Sequence, residues 1–205
     1  MSEYNYDTDI GKEKEIMEEY MTLNSDGCFI DVGAHIGHWT VYMGKGGNEV
    51  HSFEPFPDTF KRLEENTKNY PNVYLYRLAL GEVSDHRHMF LHRRTEKNGL
   101  RLRYEDWTTR TIMVEVRPLD EFCFSKPIGL IKVDTEGYEG LVLAGAVKTV
   151  SRDKPRIILE VHSGQHSKKE EIKVLSDILH TMGYRIRIKF KKENKQPIII
   201  ADYRG

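Results

Sequence analysis

Short apolar runs recur along this chain, each closed by turn or polar residues: Cys28 to Val32, Glu49 to Glu54, Val73 to Leu80, Ile128 to Val133 and Arg156 to Val161. Runs of this length without strict alternation suit strands buried on both faces of a sheet. Between them the apolar spacing becomes helical. His38 to Gly44 reads as a short helix ended by glycines. Pro57 opens another, where its missing N–H is harmless, with Phe60, Leu63 and Thr67 inward and Pro71 as the stop. Gly137 to Val150 carries Leu141, Val142, Val147 and Val150 on one face, and Lys168 to Met182 aligns Ile172, Leu175, Ile178 and Leu179. Two stretches alternate like antiparallel strands, His86 to His92 and Thr111 to Val116, with a long polar segment between them. Tyr184 to Phe190 and Pro197 to Ala201 form a closing hairpin over the charged turn Lys191 to Lys195. At the other end, Gly11 to Leu23 spaces Ile16, Met17, Tyr20 and Leu23 helically, so residues 1–25 read as a helical extension.

Strands and helices thus alternate along most of the chain. That order predicts one α/β domain over residues 1–205, with a mostly parallel sheet, helices on both faces, and an antiparallel strand from the final hairpin. At 205 residues the chain is long enough for one real core. A formal net charge of −1 removes the global electrostatic case for nucleic acid or an anionic membrane. No run approaches the ~18 apolar residues of a membrane span, and the acidic, polar start reads as neither signal peptide nor anchor. Cys28 and Cys123 sit in apolar surroundings, so buried free thiols and a reducing, cytoplasmic compartment are expected.

The chemistry gathers at the ends of the strands. The first strand runs into Asp31-Val32-Gly33-Ala34-His35-Ile36-Gly37, and the second ends in Phe53-Glu54-Pro55. A glycine turn lets a ligand approach the backbone, and an acid about 20 residues on can chelate a ribose diol. Dinucleotide and S-adenosylmethionine (SAM) sites both use this logic. The turn separates them: a pyrophosphate wants Gly-x-Gly-x-x-Gly, whereas Gly33 and Gly37 enclose His35 where a middle glycine would sit. That counts against a nicotinamide oxidoreductase and leaves room for the methionine end of SAM.

Five blocks stand in order: Asp31 to Gly37, Phe53-Glu54-Pro55-Phe56-Pro57, Ala79-Leu80-Gly81, Ile131 to Glu139, and Leu159-Glu160-Val161-His162. In that order they resemble the FkbM-type SAM-dependent methyltransferases over about residues 26 to 165. The resemblance implies a Rossmann-like class I fold with a seven-stranded sheet. It also implies SAM as cofactor and O-methylation of a hydroxyl on a sugar or glycan, such as a deoxysugar terminus. Glycosyltransferases would then be partners or fused neighbours. RNA ribose 2′-hydroxyls and small natural products are the rival acceptors. A non-catalytic scaffold would have lost the acids after the fourth strand, and they are present.

On this reading Asp31 binds the methionine ammonium or orients the turn, and Gly33, Ala34 and Gly37 lie against the methionine portion. His35 either touches the ligands or caps a helix. Glu54 takes the ribose hydroxyls through charge-assisted bonds. Pro55 and Phe56 pack on adenine, and Ala79 and Leu80 edge it. Asp134 faces the methyl-transfer centre, with Glu136 beside it. Glu139 and Glu160 hold acceptor hydroxyls, although Glu139 equally suits the positive end of the following helix. Glu160 and His162 alternate, so they point the same way, and His162 is the candidate base, with Asp134 its rival. Asp134, Glu136, Glu160 and His162 could also hold Mg²⁺ or Mn²⁺, but without stringent ligand spacing no metal is expected. The polar segment 93–110 carries Tyr104 and Trp107 among basic residues and reads as a lid over a carbohydrate acceptor. Lys132 reads as sheet structure or a salt-bridge partner.

Overall fold

The computed structural model describes residues 27–92, 95–100, 110–162, 167–191 and 196–204. The expected N-terminal helix lies outside them, as do Tyr104 and Trp107. In chain order the elements are β1 (Cys28–Val32), α1 (His38–Lys45), β2 (Val50–Phe53), α2 (Pro57–Thr67), β3 (Val73–Tyr76), β4 (Ala79–Leu80), β5 (Asp85–Phe90), β6 (Thr111–Arg117), β7 (Ile128–Val133), α3 (Glu139–Ala144), α4 (Val147–Asp153), β8 (Arg156–Glu160), α5 (Lys168–Thr181), β9 (Tyr184–Phe190) and β10 (Pro197–Tyr203).

Seven strands form one sheet in the order β3-β2-β1-β7-β8-β10-β9. The pairs from β3 to β8 are parallel, and β10 runs antiparallel to both its neighbours. The strand pattern explains this directly. Every residue of β1 and β7 is buried, as central strands covered on both faces require. Ile30, Val32, Ile131 and Leu159 pack one face against Val142, Val150, Leu175 and Leu179 of α3, α4 and α5. Phe29, Leu130, Ile158 and Ile200 pack the other against Met43 of α1. Helix α5 starts at a reciprocal cap in which Ser167 and Glu170 satisfy each other's backbone amides. Strand β9 is the sheet's outer strand, and Arg185 and Arg187 are exposed along it, as an edge kept from pairing requires.

Three expectations change. The run Val73 to Leu80 is two strands, not one. Its pairing with β2 ends at Phe53 and Tyr76, and Ala79 then pairs with Val116 of β6, so β4 joins β5 and β6 in a separate three-stranded sheet. The helix from Gly137 to Val150 is also divided. Gly145 packs so tightly that a Cβ there would lie 1.8 Å from the Gly81 carbonyl oxygen. Asp120 reaches across to accept the Lys148 and Thr149 amides and starts α4 afresh. Cys28 is buried, but Cys123 is exposed, because its neighbours Phe122 and Phe124 turn towards the core and leave it facing outward. Both cysteines are free thiols.

Replacing Gly145 by alanine should therefore destabilise the fold by about 3 kcal/mol, the upper range for overpacking, because the Gly81 carbonyl is rigid backbone. A thermal melt unchanged from wild type would refute the fit. Among the described residues no helix is long and apolar enough to cross a membrane.

Candidate active site

Strand order reverses between β1 and β7, and ligands bind at such points, beyond the carboxyl ends of the strands. A cavity of about 580 Å³ opens there, within the usual range for small-ligand sites. Its floor is the turn after β1. Gly33 has φ +73°, and a side chain there would strike the Asp134 carbonyl oxygen at 1.9 Å. The turn and the loop after β7 therefore touch through backbone alone. Gly33 and Ala34 donate to the Phe53 carbonyl at 3.0 and 3.1 Å, which ties the turn to the end of β2. Gly37 serves packing: a Cβ there would lie 2.5 Å from Leu63, and the residue is not part of the cavity wall.

Glu54 is 6% exposed and lines the cavity. The His35 amide donates to its Oε2 and the Phe56 amide to its Oε1, each at 2.9 Å. A carboxylate has about four lone-pair sites, so one on each oxygen stays available to a vicinal diol. Burial pushes the Glu54 carboxyl up to about 7, outweighing the two amides. Phe56 thus contributes its amide; its ring is not in the wall, whereas Pro55, Ala79 and Leu80 are. The expected packing of Phe56 on a ligand is corrected accordingly.

Asp31 is fully buried beneath the cavity rather than in it. It accepts from Thr40 Oγ1 at 2.7 Å and pairs with Lys132 Nζ at 3.1 Å. Direct contact with a ligand ammonium is thereby replaced by a role beneath the turn. Lys132 lines the cavity and also reaches the Gly33 carbonyl at 3.3 Å and Asp134 Oδ2 at 3.7 Å. Burial alone would depress its ammonium, but Asp31 and Asp134 hold it above the ordinary lysine value.

Asp134 and Glu136 line the cavity, and behind them sits His162. Its Nδ1 lies 3.1 Å from Glu139, and its Nε2 lies 3.2 Å from Glu136 and 3.7 Å from both Asp134 and Glu160. With carboxylates at both nitrogens, a proton on each nitrogen satisfies both contacts. Burial opposes the charge, but the hydrogen bonds to Glu136 and Glu139 and the Asp134 charge raise the imidazolium well above its ordinary value. His162 is therefore a buried cation that gathers carboxylates, and the expected general base is corrected. Asp134 shows the reverse balance: burial raises its pKa, but Lys132 and His162 hold it below the usual range.

Glu139 does not face an acceptor either. It is 3% exposed, and its Oε1 takes the Thr135 and Gly137 amides at 3.4 and 3.0 Å as well as His162. It holds the loop through the left-handed Glu136 and Gly137, at φ +57° and +99°. Glu160 is outside the main cavity, in a crevice with Trp39, where Lys191 pairs with it at 2.6 Å. Burial and the Asp134 charge push its carboxyl up to about 7.

Asp134, Glu160 and His162 can each offer one ligand atom within 4.8 Å of the others. A divalent cation there would need His162 to give up its proton and its bond to Glu136. The grouping of Cys28, Glu49 and His51 involves a thiol that burial pushes up to about 11, a poor ligand.

Trp39 and Met89 line the wall without having carried a signal in the sequence, and Tyr138 joins them from the block that ends at Glu139. Thr95, Asn98 and Leu100 belong to the polar segment, so part of it reaches the cavity as a lid would. His35, left-handed at φ +52°, meets Thr95 Oγ1 through Nε2 at 3.1 Å. It links the turn to the 95–100 segment rather than capping a helix. Lys132 was detectable as a charge inside an apolar strand.

Residues 31–186 match the family model of the methyltransferase FkbM domain. The chain is 30% identical over 160 residues to the hexuronic acid methyltransferase AglP of Haloferax volcanii, covering 74% of this chain and 62% of that protein. It thus spans less than two thirds of that relative. Among solved structures, a methyltransferase FkbM from Methylobacillus flagellatus KT superposes with a TM-score of 0.64 at 20% identity, over 89% of this chain and 46% of that one. Magnesium protoporphyrin IX methyltransferase from Synechocystis PCC 6803, solved with bound SAM, gives 0.57 at 13% identity, over 100% and 86%. These likenesses bear on the fold, which they share with the class I methyltransferases.

Proposed function

We infer that this chain, which belongs to the methyltransferase FkbM domain family, transfers a methyl group from SAM to a hydroxyl oxygen of a sugar or glycan. Glu54 carries the reading: a buried carboxylate, pinned by two backbone amides, presents one open lone pair per oxygen to the ribose diol. Asp134 and Glu136 supply negative charge where the ammonium and sulfonium of SAM need it. The hexuronic acid methyltransferase relative supports a sugar acceptor.

Methyl transfer is an in-line displacement. The acceptor oxygen attacks the methyl carbon as the carbon–sulfur bond breaks, and the sulfur keeps the electron pair. The hydroxyl proton goes to the carboxylate nearest the acceptor, for which Asp134 is placed. Its low basicity means that most of the acceleration comes from holding the reactants in line, an effect worth several kcal/mol. His162 keeps Asp134 and Glu136 in position and takes no proton.

The test is incubation with SAM and a panel of uronate-ended and neutral oligosaccharides, read by mass spectrometry. Gain of one methylene on a sugar supports the reading. No gain on any sugar, from protein that binds S-adenosylhomocysteine, rejects the acceptor class. Affinity should also depend on pH. Diol bonds favour the ionised Glu54, so binding releases a proton, and affinity rises as pH climbs to about 7 and levels off above it. A flat calorimetric profile across that range would contradict the role of Glu54.

A further inference from the structure

The segment 95–100 closes one side of the cavity. Phe90 and Gly99 exchange backbone hydrogen bonds at 2.8 and 3.2 Å, so the segment is anchored to the end of β5. The Asn98 amide donates to the Thr95 carbonyl at 3.1 Å, which folds the segment into a compact turn. Asn98 itself lines the cavity and is 8% exposed.

Its side chain is only half satisfied. Oδ1 accepts the His92 backbone amide at 2.8 Å. That bond identifies which end of the side-chain amide is the carbonyl, because an NH₂ group cannot accept. The Nδ2 group is then a buried donor, and no described residue accepts from it. Buried donors in native proteins are almost always paired, and an exception calls for an explanation. A ligand atom that accepts and does not donate supplies one.

The wall chemistry selects the ligand part. Leu80, Met89 and Leu100 line the same cavity, and apolar walls of this kind suit a flat aromatic ring. Adenine's ring nitrogens N1, N3 and N7 are pure acceptors. We propose that Asn98 reads the adenine of the cofactor, donating from Nδ2 to a purine ring nitrogen. This rests on the reading of the cavity as a SAM site. It adds a specificity residue in the insert, beyond the strand-end blocks that first marked the site.

The test is calorimetry with S-adenosylhomocysteine and its 1-deaza, 3-deaza and 7-deaza analogues, on wild type, Asn98→Asp and Asn98→Ala. Aspartate keeps the acceptor for the His92 amide and removes the donor, so the segment stays anchored. Asn98→Asp should bind S-adenosylhomocysteine about 5- to 20-fold more weakly, the effect of one lost hydrogen bond plus a lone-pair clash. One deaza analogue should lose affinity on the wild type and lose nothing further on Asn98→Asp. Both variants binding within about twofold of wild type would overturn the assignment alone, as would three analogues with equal losses on wild type and variant. A wild type that binds none of the adenosyl ligands would instead remove the SAM reading, and this assignment with it.

Discussion

Glu54→Ala should weaken binding of S-adenosylhomocysteine by at least about 100-fold, since two charge-assisted hydrogen bonds at roughly 1.5 to 3 kcal/mol each disappear. The loss has a second source. The same carboxylate fixes the His35 and Phe56 amides, so the turn and the start of α2 lose their common anchor. Glu54→Gln should lose less, because one oxygen remains to take an amide and a hydroxyl. Calorimetric titration measures both variants. Affinity within about threefold of wild type for Glu54→Ala would show that the diol is held elsewhere. Unfolding should not account for the loss. In the ligand-free protein this carboxyl stands at about 7, above the ordinary value of 4.5. The proton therefore favours the folded form, and the ionised group opposes folding increasingly as pH rises from 4.5 to about 7.

The second large effect is on stability. Lys132→Met leaves the Asp31 carboxylate fully buried without its cation, with only Thr40 still bonded to it. Breaking a buried pair from one side destabilises by about 3 to 5 kcal/mol. For a chain of this size, that lowers the melting temperature by roughly 6 to 20 °C. The double variant Asp31→Asn, Lys132→Met should recover most of the loss, because no uncompensated charge remains. A double variant as unstable as Lys132→Met would mean that the lysine acts through packing. The pair matters beyond stability: Lys132 also touches the Gly33 carbonyl and Asp134, so it joins the two loops that form the cavity floor.

The centre of the sheet was legible because its strands are mostly apolar runs and the helices between them keep a helical period. β1, β7 and β8 stand within a residue of the runs that announced them. What could not be read was where the chain changes partner. Val73 to Leu80 is one apolar run, yet its end pairs with β6, and local pattern carries no trace of that choice. The division at Gly145 is likewise tertiary, imposed by the Gly81 carbonyl and by Asp120 from a distant turn.

In the site, spacing alone pointed to Glu54, because an acid after a second strand has one geometric place to go. Spacing could not assign roles among clustered charges. His162 and Glu139 stand beside the cavity as expected, but each is surrounded by partners that decide its chemistry. A histidine between carboxylates is a cation, and a glutamate that accepts two loop amides is a brace. Asn98 carried no motif at all; its orphaned amide appears only once the segment is folded against β5.

The most direct measurement is a calorimetric titration of the wild-type protein with S-adenosylhomocysteine, with NAD as the comparison ligand. The account predicts saturable micromolar binding of the adenosyl ligand at one site per chain, and none of NAD, because the turn carries His35 where a pyrophosphate site wants a glycine. No heat from S-adenosylhomocysteine, or equal binding of NAD, would contradict it.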